Sequence, residues 1–114
     1  MKRKFRLCLS MAALLAATGG FCHPPSEIQL AFDPAAKTLR VTVMHDTRKP
    51  EEHFIASIQV KVNGKEAVTQ IYQRQTDGLK RAASYLLEDA KTGDEISVTG
   101  VCSVFGKKTE TVKL

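Results

Sequence analysis

The chain of 114 residues contains three histidines, His23, His45 and His53, and three cysteines, of which only Cys102 lies beyond residue 22. Imidazole nitrogens and a thiolate sulfur are the donors that bind zinc, copper and iron, and together these four side chains make a ligand set for one ion. They act as a set only if the fold brings them together. His45 and His53 are too far apart in sequence to sit on one turn of a helix, so the pair can serve one ion only as a loop that closes over it.

The elements that must do this positioning read as strands throughout. Residues 27–32 alternate with Ile28, Leu30 and Phe32 on one face, and residues 38–44 alternate with Leu39, Val41 and Val43, with an Asp33-Pro34 turn between them. Residues 54–62 continue through Ile58, Val60 and Val62 to Asn63-Gly64, the strongest short hairpin signal, and 65–72 returns. A polar loop over 73–81, a short strand over 83–87, a turn containing Gly93, a long strand over 95–105 and a last strand over 109–113 complete the pattern. Seven short strands at regular spacing predict an all-β, immunoglobulin-like antiparallel β-sandwich. Phe105, Tyr72 and Tyr85 read as aromatic packing within it.

On this frame the candidate ligands fall at strand ends, where a rigid scaffold holds loops in place. His23 precedes the first strand, His45 ends the second, His53 begins the third, and Cys102 lies late in the long strand. The charged stretch from His45 to Glu52 is the loop between two of them.

Residues 1–22 have the layout of an export leader: Lys2, Arg3, Lys4 and Arg6, an apolar run over 7–17, then Thr18, Gly19 and Gly20. The run is too short for a permanent span, and no later segment supplies the twenty or so apolar residues one needs. The expectation is a signal peptide over 1–22 and one exported domain over 23–114, periplasmic or extracellular. Cleavage after Gly20 and after Cys22 both fit the small-residue rule, while lipidation of Cys22 fits less well because Phe21 precedes it.

The leader also accounts for the charge. The formal net charge is +5, but residues 23–114 carry thirteen basic and twelve acidic side chains, a net of +1. No concentration of basic residues marks a nucleic-acid surface. Roughly ninety residues make one small domain with a modest core, to which a metal or a disulfide would add stability. A lone Cys102 in an oxidising compartment calls for an explanation, and a bridge to a retained Cys22 is the simplest alternative to metal binding.

Several segments resemble one family. The stretch 45–58, with Pro50-Glu51-Glu52-His53-Phe54-Ile55 at its centre, is similar to the histidine loop of the desulfoferrodoxin and neelaredoxin family of superoxide reductases. Gln59 to Gly64 resembles that family's next hairpin, Cys102-Ser103-Val104-Phe105-Gly106 its C-x-x-H-G segment, and His23-x-Pro25 the opening of its metal domain. The resemblance covers nearly all of residues 23–114. It implies an immunoglobulin-like domain that holds one iron ion by imidazoles and an axial cysteine and reduces superoxide to hydrogen peroxide. His23, His45, His53 and Cys102 would be the ligands here, with Lys49 or Arg48 attracting superoxide or another small anion, and a separate electron donor is implied.

The chain departs from the family's pattern at three points. Phe105 stands where the fourth histidine belongs, His45 and His53 are two residues further apart, so that an ungapped alignment puts Thr47 at the ligand position, and no four-cysteine rubredoxin-like segment is present. Cleavage after Cys22 would add the α-amine of His23 to the donors. Two other readings stay open from the residues alone: an exported copper or zinc carrier or sensor, and a metal-free β-sandwich interaction module.

Overall fold

Alternating side chains build both halves of the molecule. In the computed structural model, which describes residues 23–114, β1 (Glu27–Asp33) and β2 (Thr38–Met44) pair antiparallel, with Ile28 opposite Val43 and Phe32 opposite Leu39. Their turn is held by Asp33, whose carboxylate accepts the N–H groups of Ala35 and Ala36. The second hairpin joins β3 (Ile55–Val62) to β4 (Lys65–Ile71) through Asn63 and Gly64, at φ 52° and 83°. Two successive left-handed residues are what a type I′ turn requires, and Asn-Gly is the pair that tolerates them best. β5 (Lys80–Leu86), β6 (Glu95–Cys102) and β7 (Lys107–Lys113) complete the chain.

The strands form a three-stranded sheet in the order β1-β2-β5 and a four-stranded sheet in the order β4-β3-β6-β7, all neighbours antiparallel. This is the expected all-β, immunoglobulin-like sandwich. Leu39, Val41 and Val43 from one sheet and Ile58, Val60, Ile96 and Val98 from the other meet in the buried core. Each such side chain contributes about 1.5–3 kcal/mol relative to exposure.

Three boundaries differ from the sequence reading by two or more residues, and one side chain differs in placement. β5 begins at Lys80 rather than Ala83, because Lys80 and Arg81 pair with Met44 and Val43 of β2. Arg81 occupies an inward position and is accommodated there by placing its guanidinium 4.0 Å over the Tyr72 ring and donating to the Arg74 carbonyl. β7 likewise begins earlier, at Lys107, which pairs with Val101. β6 stops at Cys102 rather than 105, since the chain turns back there: Cys102 N–H donates to Gly106 O at 2.9 Å. That turn carries Phe105 outward, and its side chain is 61% exposed instead of lying in the core. Tyr85 is buried and Tyr72 half-buried as expected, their hydroxyls 3.3 Å apart across the two sheets.

Candidate metal centre

Strand pairing gathers four segments at one end of the sandwich. Glu27 lies opposite Met44, so the residues before β1 adjoin those after β2, and Ile55 lies opposite Cys102, so the start of β3 adjoins the end of β6. The candidate ligands occupy these four positions. Local hydrogen bonds then fix each segment. Ser26 N–H donates to Met44 O, and His45 and Thr47 donate to Leu79 O and Gly78 O. Ser103 and Phe54 exchange two bonds, Ser103 N–H to Phe54 O at 2.7 Å and Phe54 N–H to Ser103 Oγ at 3.0 Å. The residue after His53 is thereby tied to the residue after Cys102.

The result is a convergent cluster. One ligand atom from each of His45, His53 and Cys102 lies within 4.8 Å of the other two, an arrangement that could hold a metal ion. The rings of His45 and His53 meet edge to face with centroids 4.7 Å apart. His23 stands beside both, its ring centroid 5.4 Å from each, outside the group of three converging ligand atoms. Its Nδ1 lies 3.1 Å from Pro24 O and donates to it, since a carbonyl only accepts.

Burial makes these donors costly unless something binds them. His45 is fully buried, Cys102 is 5% exposed and His53 is half-buried. The Nε2 atoms of His45 and His53 are both buried with no hydrogen-bond partner among the described residues. A buried polar atom without a partner costs about 1–3 kcal/mol, and a metal ion is a partner for a ring lone pair. Among the described residues Cys102 has no disulfide partner, and its sulfur accepts the N–H of Val104 at 3.4 Å. The two orphaned imidazole nitrogens and the buried sulfur therefore fit a nitrogen- and sulfur-binding metal.

The electrostatics favour the ligating forms of the rings. Burial holds His45 below its ordinary value of 6.5; the Gln75 hydrogen bond opposes this, and the neighbouring His53 and His23 lower it further. Burial, and then His23, hold His53 below 6.5 as well. Both rings are neutral at pH 7, the state that donates to a metal.

The structure brings together His45, His53 and Cys102 and sets His23 alongside. Thr47, the alternative ligand position, is buried but serves the loop instead: its hydroxyl accepts the N–H of Lys49 at 3.1 Å. The Lys49 side chain is exposed, while its carbonyl shapes the loop by accepting the N–H groups of Glu52 and His53. Phe105 contributes no ligand atom and its ring faces solvent. Cleavage near Cys22, its lipidation or its disulfide, and the leader itself lie outside the described residues.

One participant escapes a reading by residue type. Gln75, in the loop before β5, is 1% exposed and touches His45 through both its ring and its backbone. Only the hydrogen-bonding pattern reveals it, because a glutamine in a polar loop carries no sequence signal. No family model, curated protein or solved structure matches this chain. The geometry of the cluster is thus the ground for a functional assignment.

Proposed function

We propose that the chain is an exported superoxide reductase-like protein that holds one iron ion through His45, His53 and Cys102, with His23 as the fourth donor. The observation that carries this reading is the convergence of a buried cysteine with two histidines whose Nε2 atoms are buried without a hydrogen-bond partner among the described residues. Imidazole and thiolate are an iron-binding combination, and the order of the ligands along the chain follows the desulfoferrodoxin pattern. The charged, apolar and small-residue segments of 1–22 support export.

His45, His53 and Cys102, with His23, would hold the ion, and bound ferrous iron would supply the one electron that, with two protons, converts superoxide to hydrogen peroxide; an external donor would restore that electron. The protein's part would be to hold the three rings and the cysteine sulfur in place and to keep His45 and Cys102 buried. Lys49 and Arg48, exposed in the loop that carries His53, supply positive charge for attracting the superoxide anion.

The same donor types also suit zinc or copper(I), which His45, His53 and Cys102 would hold, and this is the second reading. Metal analysis and an optical spectrum of protein purified from its native compartment separate the two. The expected result is stoichiometric iron, a visible ferric-thiolate absorption that bleaches on reduction, loss of both in Cys102→Ser, and superoxide consumption without oxygen release. A colourless protein carrying zinc or copper would establish the second reading, and a protein with no metal would leave the sandwich as an interaction module.

A further inference from the structure

We infer that Gln75 is a positioning residue of the metal centre, fixing the tautomer of His45 so that Nδ1 carries the proton and Nε2 is offered to the ion. This rests on the metal-binding reading above for its purpose, though not for its geometry.

The orientation of the Gln75 amide follows from partners whose roles cannot change. Its nitrogen lies 2.9 Å from His45 O and 2.7 Å from Asp77 O, and both carbonyls only accept. Its oxygen lies 3.1 Å from Ile55 N, which only donates. Three fixed partners leave the amide one way round. The same oxygen is 3.1 Å from His45 Nδ1, so that nitrogen must donate, and the proton of a neutral ring sits there. The ring's other nitrogen is then a bare lone pair; it is buried without a hydrogen-bond partner among the described residues, on a ring that converges with His53 and Cys102.

The alternative tautomer is penalised. With the proton on Nε2, the lone pair of Nδ1 would face the lone pair of the Gln75 oxygen at 3.1 Å. Gln75 also joins the segments that must agree in position: the end of β2 through His45 O, the start of β3 through Ile55 N, and its own loop through Asp77 O. Its backbone N–H donates to Pro50 O, which anchors the same side chain to the loop carrying His53. An outer partner that fixes both the ring and its proton is how ligand histidines are usually prepared for a metal.

Nitrogen-15 NMR of the metal-free full chain at pH 7.5 tests this directly by reporting which ring nitrogen of His45 is protonated. The expected result is a single Nδ1–H tautomer in the wild type, lost in Gln75→Leu. Anaerobic titration with Fe2+ alone should then show affinity falling by about 10–100-fold in Gln75→Leu. An Nε2–H tautomer or a mixture in the wild type would overturn the inference, as would a Gln75→Leu protein that kept both the tautomer and the affinity. The wild-type NMR result stands by itself if a substitution prevents folding. It also separates the two ideas: wild-type protein that takes up no Fe2+ defeats the iron reading, whereas the tautomer is measured without metal.

Discussion

Pro24 occupies the space that a side chain on Gly106 would need. A Cβ at Gly106 would sit 2.7 Å from Pro24 Cβ and 3.1 Å from Pro24 Cα, and Gly106 has φ +87°. The contact seats the segment carrying His23 against the turn that follows Cys102, so the first and last of the four donors are positioned by one glycine.

Gly106→Ala should therefore destabilise the protein by about 2–4 kcal/mol, combining the strain of a left-handed alanine with a steric clash. Gly64→Ala is the control, because Gly64 is also left-handed but has nothing within 4 Å of the added methyl. It should cost only about 1 kcal/mol. Urea denaturation of both variants checks the difference, and metal affinity should fall in the first alone.

The metal-free protein should lose stability in mildly acidic solution. His45 and His53 are held below 6.5 when folded, chiefly by burial, so below that pH the unfolded chain takes up protons that the native rings refuse. Their contribution is complete above pH 6.5, declines as pH falls through the native values, and then levels off. Asp94 adds a separate loss at lower pH. Hydrogen bonds from Asn63 and then from the Lys91 N–H hold its carboxyl below 3.8, and the stability they give is present above 3.8 and lost below the native value. Thermal melts between pH 3 and 8, with and without chelator, would trace both phases.

Removing a ligand should not weaken the metal-free fold. His53→Leu deletes a buried nitrogen without a hydrogen-bond partner among the described residues and should leave metal-free stability within about 1 kcal/mol of wild type or raise it. The same variant should lose the stabilisation that bound metal gives. Paired melts with and without Fe2+ measure both effects, and a large destabilisation of the metal-free variant would contradict this account of His53.

Core truncation should act in the opposite sense. Ile58 is fully buried between the sheets, and Ile58→Ala should cost about 2–5 kcal/mol whether or not metal is present. Equal shifts in denaturant midpoint with and without metal would separate this from an effect on the site.

Strands were legible in the sequence wherever the inward positions are apolar, as in β1, β2 and β3. β5 was read short because Arg81 takes an inward position, and its cost is met by Tyr72, which period-two alternation does not reveal. His45, His53 and Cys102 were legible as candidate ligands by residue type, and strand ends gave their approximate place. The spacing left Thr47 as a rival to His45, and only the fold separates them: Thr47 bonds within its own loop, while the His45 ring turns inward. Phe105 was misplaced because an aromatic residue in a β-branched run looks the same whether the strand continues or turns. Gln75 was invisible since its importance lies in four partners drawn from separate segments.

His45 follows a strand of the three-stranded sheet and Cys102 ends a strand of the four-stranded one. An ion bound to both would fasten the two sheets at that end. Its release would then be coupled to how often that end of the sandwich opens, and slower amide exchange at the ends of β2 and β6 on metal addition would report that coupling.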